Sequence, residues 1–450
     1  PEFHHFLEVI RTGFDQKIQE QRQTFPRHRV AIDEELCLHC GTCVDACMYS
    51  VRKRDEKDPR RILVDQEILC RGCGACLERC PQVAQGKAAT TVELHPHFLS
   101  MDDPYWNRDV ISRIDLEATT GKIPVSGTGQ GDPHRGFGND GIRFGHFHIV
   151  GPAQNLLYES SADAIAVHLG QKPKYLVFEE EKLITPPSRL VRVKTPILLD
   201  LLPTGASESH LMPMLKAAHE TGSRLTLRRA QVEKYFSEIE KHPECLILRI
   251  TAEEAKKIEP DGKIARLLRK HSPALVEIEV DGPWTEAAGR SALFPGCVLS
   301  ANLKIDQASL DSGMRLTPAF REILESLISS PVDILCLSSD YDPERGYYPT
   351  TDAVPAVHHF LVERKIRHRF SILAAGGIRS AADTQKTIQR GANGVKIDWP
   401  VLLTADPLAR QKFLAGKPMA FSGDPAILAK RITHLIQVWN IQVIEVLGAS

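Results

Sequence analysis

The 450-residue chain carries almost no net charge, no long apolar run, few aromatic residues and few cysteines outside one short block. Lys and Arg number 56 against 57 Asp and Glu, a formal charge of −1. That balance disfavours a generic nucleic-acid binder or a polybasic membrane adsorber. No stretch of about 18 apolar residues appears, so no transmembrane helix is expected. The opening residues, Pro1 to His5, lack a secretory pattern, and cytoplasmic residence is expected. Eleven cysteines in 450 residues are too few for a secreted disulfide scaffold. What is present is ordinary globular composition, 42% apolar and 25% charged, enough for a large barrel plus an accessory unit.

Eight of the eleven cysteines fall between positions 37 and 80, in two runs of the form C-x2-C-x2-C-x3-C: Cys37, Cys40, Cys43, Cys47 and Cys70, Cys73, Cys76, Cys80. Two-residue gaps let three thiolates on one turning loop reach three irons of a cubane, and the fourth ligand comes from the other run. Cys37, Cys40, Cys43 and Cys80 are therefore assigned to one [4Fe–4S] cluster, and Cys70, Cys73, Cys76 and Cys47 to the other. A zinc ribbon wants four ligands in two pairs, which tandem four-cysteine runs overfill. Between the runs, Arg52 to Arg61 carries six positive and three negative side chains. It reads as a solvated hairpin tip, with a docking patch for an acidic electron carrier as the alternative.

Upstream, Phe6, Leu7, Ile10, Phe14 and Ile18 recur at helical spacing, and residues 4–24 look like an amphipathic helix that packs on its own chain or seats a partner. Residues 95–150 are rich in Pro, Gly and His and read as a connector; His95, His97, His146 and His148 are taken as loop histidines and not a metal site. From 195 onward, apolar runs each followed by a helical stretch recur eight times: Pro196–Leu201, Arg224–Leu227, Cys245–Ile250, Ala274–Val280, Cys297–Ala301, Val332–Leu337, Ser371–Ala375 and Val395–Asp398. Eight repeats over about 250 residues is the count of a (β/α)8 TIM barrel. A doubly wound open sheet is the runner-up, but no G-x-G-x-x-G opens any unit. Apolar segments at Phe147–Val150 and Tyr175–Phe178 would precede or cap the barrel. The expected fold class is thus α/β, a bacterial-type two-cluster ferredoxin module followed by a barrel. The expected boundaries are 1–30 for the N-terminal helix, 31–94 for the ferredoxin module, 95–194 for a connector wrapping the barrel and 195–450 for the barrel.

Chemistry in a barrel belongs at the C-terminal ends of the strands, with phosphate held after strands seven and eight. Gly376 and Gly377 follow the seventh run and Ser380 opens a helix, together an anion cradle for a phosphate-bearing cofactor. Cys245, Cys297 and Cys336 are far apart and are read as buried core thiols.

With both halves in view, residues from about 30 to 440 resemble the glutamate synthase FMN-domain family, in the archaeal form with a preceding two-cluster module. The resemblance rests on the double cysteine run, Thr120–Val125, Leu202–Ser209, Ala375–Asp383 and Gly391–Gly394. It implies that Gly205, Ala206 and Ser207 line an isoalloxazine and that Gly376 and Gly377 hold the FMN phosphate. The chain departs from the family at Met48, where Pro is usual, and in the loops Arg228–Gln231, Asp281–Glu286 and Ser339–Arg345. Asp398-Trp399 replaces a glycine–arginine pair, and the family's three-cysteine [3Fe–4S] stretch is absent. The glutaminase nucleophile of glutamate synthases is not found, so ammonia would come from another subunit.

Intact cysteines beside eroded loops lead to an iron–sulfur electron-transfer subunit of a multi-subunit redox complex. It would relay electrons through two [4Fe–4S] clusters to or from other redox subunits, with FMN as a candidate second centre. The alternatives are a catalytic glutamate synthase subunit and a flavin-free barrel serving as a cluster-bearing scaffold. No catalytic residue is assigned.

Overall fold

The computed structural model describes residues 26–100, 103, 105–123, 165–172, 189–284 and 296–447, apart from Arg71, Pro260, Ser272, Pro343 and Arg345, with short paired pieces at 125–126 with 129–130 and 178–179 with 182–183. The amphipathic helix expected at 4–24 lies outside the described residues, as do Phe147–Val150, His146 and His148.

In the cysteine module, His28–Ile32 pairs antiparallel with Thr90–Leu94, and Arg52–Arg54 pairs with Ile62–Val64. Each cysteine run turns into a one-turn helix, Thr42–Asp45 or Ala75–Glu78. Both helices are entered through a left-handed glycine, Gly41 at φ 82° and Gly74 at φ 75°, a conformation that a side chain would strain. The two halves of the module therefore repeat one local design.

The eight apolar runs form a closed, all-parallel barrel in chain order: Ile197–Leu199, Leu225–Arg228, Leu246–Thr251, Leu275–Val280, Val298–Lys304, Ile334–Ser338, Ser371–Ala375 and Gly394–Ile397. Alternation along each strand sorts its side chains. Leu199, Leu225, Leu227, Leu248, Val276 and Ile278 face outward into the helix layer. Leu198, Ile247, Leu275, Val298, Ile334 and Leu373 face inward and make an apolar lower layer. The antiparallel pair Val167–Gly170 and Leu190–Val193 caps the N-terminal mouth, adding Leu169, Val191 and Val193 to that layer.

The connector contains a helix that the Pro- and Gly-rich composition concealed. Arg108–Thr120 is capped by Asn107, whose side chain accepts from Val110 N, and ends at Gly121 in the left-handed region. Its buried face, Ile111, Ile114 and Ala118, packs on the C-terminal helix Pro425–Leu447. Glu117 on that face accepts from Trp439 Nε1 at 2.7 Å, and Asp115 pairs with Arg431 at 2.5 Å. Among the described residues, no helix is long and apolar enough to cross a membrane.

Candidate functional site

Two hollows in the small module collect the eight clustered cysteines. One is lined by Cys37, Cys40, Cys43 and Cys80, with Ile32, Leu38 and Ile62. The other is lined by Cys47, Cys70, Cys73 and Cys76, with Val30, Val51 and Val92. Each hollow thus draws three thiols from one run and the fourth from the other. All eleven cysteines are free thiols. A single tetrahedral zinc would bring its sulfurs to about 3.8 Å of one another. Among the described residues, the one set of three or more such ligand atoms within 4.8 Å is His219, Glu244 and Cys245, none of them in the cysteine runs. The quartets are more open than one zinc ion needs, and their apolar walls suit a larger sulfur-ligated group. Cys40 and Cys73 are exposed, whereas Cys43, Cys47, Cys70 and Cys76 are buried. Burial pushes the Cys43 thiol up, with the Arg52 guanidinium opposing it.

The hairpin tip Asp55–Arg61 is largely exposed, as its composition predicts. Lys53 pairs with Asp65 at 3.0 Å and Arg61 with Glu34 at 2.8 Å. Arg52 departs from its neighbours: it is 3% exposed and turns into the module.

At the C-terminal ends of the barrel strands opens a cavity of about 740 Å³. Every loop that departs from the family pattern reaches it, through Arg228, Asp281, Ser339–Tyr341 and Asp398-Trp399. Below it lies a charged layer. Arg249 pairs with Asp200 at 2.7 Å and with Glu277 at 2.6 Å; Lys396 Nζ donates to Glu277 Oε2 at 2.7 Å and to Thr226 Oγ1 at 3.2 Å. Burial alone would push Glu277 up, but Arg249 and Lys396 hold its carboxyl down to about 2. Sequence reasoning missed this layer, although single charges within apolar runs (Leu-Arg-Ile, Val-Glu-Ile, Val-Lys-Ile) were its signal. Higher up, Arg228 pairs with Glu279 at 3.1 Å, Lys304 with Asp340 at 2.9 Å and Arg410 with Asp103 at 2.8 Å. Each cation of the wall has a carboxylate. Burial pushes the Asp398 carboxyl up to about 7, with Asp200 adding to the effect.

The residues assigned to a flavin do not converge. Leu201–Thr204 line the cavity, but Gly205–Ser207 turn aside: Ser207 N donates to Met419 O at 2.9 Å, and Met419 N donates to Gly205 O at 3.1 Å. Gly376 borders the cavity, while Gly377 is roofed over. Tyr105 Oη donates to Gly377 O at 2.5 Å, and a Cβ on Gly377 would meet Tyr105 Oη and Tyr348 Cγ, each at 2.7 Å. Trp106 Nε1 donates to Tyr348 Oη at 2.9 Å and locks that roof. The helix Ala381–Gln389 does not offer its N-terminus to a ligand either. Ser380 accepts from Asp383 N, and the buried Asp383 carboxylate pairs with Arg379 at 3.1 Å. Arg379 in turn stacks 3.8 Å above Tyr105. The Gly376–Gly377 loop therefore does not fit a phosphate, although the cavity has the volume for a flavin. Tyr105, Trp106, Tyr348 and Arg379 were not legible as site residues because two of them enter from the connector.

Cys245, Cys297 and Cys336 are each at most 2% exposed and lie apart in the barrel wall. Burial pushes the Cys245 and Cys336 thiols up to about 12.

Two cysteine-lined hollows and a closed parallel barrel are thus carried by one chain. The 4Fe-4S dicluster domain family matches residues 36–84, and the conserved region of glutamate synthase matches residues 344–409. The chain carries a two-cluster [4Fe–4S] domain and a glutamate synthase-like barrel. It is 25% identical to an archaeal glutamate synthase [NADPH] of Methanocaldococcus jannaschii over 94% of this chain and 92% of that protein. It is 24% identical to the Archaeoglobus fulgidus protein of the same name, over 94% of this chain and 90% of the other. An archaeal-type glutamate synthase [NADPH] of Thermotoga maritima is 34% identical over 22% of each chain. Solved structures with some likeness include a mandelate oxidase mutant with a C4a-OH-FMN adduct, at TM-score 0.37 and 12% identity over 64% of this chain and 85% of the other. A flavocytochrome b2 mutant with benzoylformate follows at TM-score 0.37 and 13% identity, over 66% and 76%.

Proposed function

We propose that this chain is the electron-relay subunit of a multi-subunit redox complex. The carrying observation is the pair of cysteine hollows, each completed by a thiol from the other run. Cys37, Cys40, Cys43 and Cys80 would hold one [4Fe–4S] cluster, and Cys70, Cys73, Cys76 and Cys47 the other. Bound clusters supply reversible one-electron transfer; the chain supplies their spacing, burial and access. Ile32, Ile62, Val30, Val51 and Val92 exclude water from the sulfurs. Cys40 and Cys73 reach the surface, and Leu38 (59% exposed) lies inside the first run while Met48 (56% exposed) directly follows it. Exposed apolar side chains next to a redox centre suit a partner that must approach closely.

A flavin-free barrel is the second reading, favoured by the aromatic roof over Gly377 and by the paired cations of the cavity wall. Under it the barrel is a scaffold for the clusters. FMN is retained as a cavity ligand only with its phosphate away from Gly376 and Gly377, and no step is assigned to it. Anaerobic iron and sulfide analysis tests the relay reading, with eight of each per chain expected by the ligand count. Values near zero would end it. Acid extraction separates the readings, since flavin in the supernatant revives FMN and its absence favours the scaffold.

A further inference from the structure

Of the residues bordering the two cysteine hollows, Arg52 alone is shared by both. Its guanidinium is buried, and among the described residues no carboxylate pairs with it. Nη2 donates to Thr90 Oγ1 at 2.6 Å and lies 3.6 Å from Cys76 Sγ. Thr90 Oγ1 donates onward to Ala31 O at 2.9 Å, which fixes the hydroxyl as an acceptor for Arg52. Nη1 is buried and, among the described residues, finds no nitrogen or oxygen partner, so only cysteine sulfurs stand near the guanidinium besides Thr90. An unpaired guanidinium in an apolar interior is costly, and an arginine stays charged there instead of shedding its proton. The missing counter-charge has to come from what fills the hollows.

We propose that Arg52 is the shared counter-cation of the two clusters and sets both reduction potentials. This rests on the two-cluster reading above. A thiolate-ligated [4Fe–4S] cluster is an anion that gains further negative charge on reduction, and its potential follows net charge and hydrogen bonds to sulfur. A fixed cation between two such centres favours the reduced form of each. One positive charge serving both also makes their potentials move together, which suits a relay that passes electrons without a deep trap.

EPR-monitored potentiometric titration of the intact protein, with iron and sulfide content measured in parallel, tests this. Arg52→Met should keep its iron and shift the reduction equilibrium of both clusters toward the oxidised form by tenfold or more, about 59 mV for a one-electron couple. The larger shift should fall on the cluster bound by Cys76. Arg52→Lys, which keeps the charge but loses the planar fork, should give a smaller shift in the same direction. Unchanged potentials in an iron-replete Arg52→Met protein, or a shift confined to one cluster, would overturn the proposal. If Arg52→Met fails to assemble clusters, Arg52→Gln, which removes the charge but keeps a polar head, decides: wild-type potentials in that iron-replete protein would reduce Arg52 to a structural role. A wild-type protein without iron defeats the relay reading itself, a result distinct from all of these.

Discussion

The cysteine module and the barrel mouth are built in opposite ways. In the module, eight cysteines border two hollows, both helices open on left-handed glycines, and a single buried arginine stands between the hollows. In the barrel, the strands close completely while the mouth is lined with aromatic rings and ion pairs. The difference follows from how each site is made. A cubane needs four thiolates at fixed spacing, so a single loss is fatal. A barrel mouth is assembled from independent loops, and each can be replaced without opening the strands.

The sharpest way to break this contrast is Cys73→Ser. It should remove about half of the iron and abolish electron transfer, since one of the two clusters loses a ligand. The barrel's thermal transition should stay put; a fall in that transition would mean the two regions fold as one. Next, Glu277→Ala would leave the buried cations Arg249 and Lys396 to share Asp200 as their one remaining carboxylate. The expected cost is about 3–5 kcal/mol in denaturant unfolding with cluster content unaltered. Retained stability would show that water or a ligand replaces the carboxylate.

Gly377→Ala probes the aromatic roof. Residue 377 sits at φ 80° beneath Tyr105 and Tyr348, so the added methyl should cost about 1–3 kcal/mol. Flavin content should not respond; its selective loss would restore the phosphate role of this loop. Gly376 is a poorer probe, because a Cβ there would fall 2.1 Å from the Ser339 carbonyl oxygen. The effect expected at Asp398 depends on pH. Its native carboxyl keeps a proton up to about pH 7, whereas the unfolded chain releases it near about pH 3.9. The native state therefore binds more protons in that window, and this residue's contribution to stability falls as pH rises through it. Asp398→Asn should unfold at higher temperature than the wild type at pH 8 and match it at pH 4. Parallel pH curves for the two proteins would refute the assignment.

Much of the architecture was legible. All eight barrel strands lie where the apolar runs put them, because a short continuous apolar run followed by a helical stretch marks a strand buried on both faces. The cysteine grouping was legible for the same kind of reason, since spacing of two and three residues is local geometry. Arg52 was not. It stands in a run of charges that reads as solvent-facing, and only the strand pairing of Arg52 with Val64 turns its side chain inward. Tyr105 and Trp106 were hidden more thoroughly. They act on a loop more than 240 residues away, a contact that no local pattern announces. Arg108–Thr120 could have been recognised, with its asparagine cap, closing glycine and apolar spacing, had not the surrounding prolines and glycines dominated the reading.

That helix has a consequence for the order of assembly during synthesis. Glu117 finds Trp439 across 322 residues of chain, so the surface that receives it leaves the ribosome long after the helix itself. The cysteine module, whose strands pair among residues 28–94, is made before either. Iron loading can then precede closure of the barrel, and the linking helix must wait, uncovered, until its partner surface has been made.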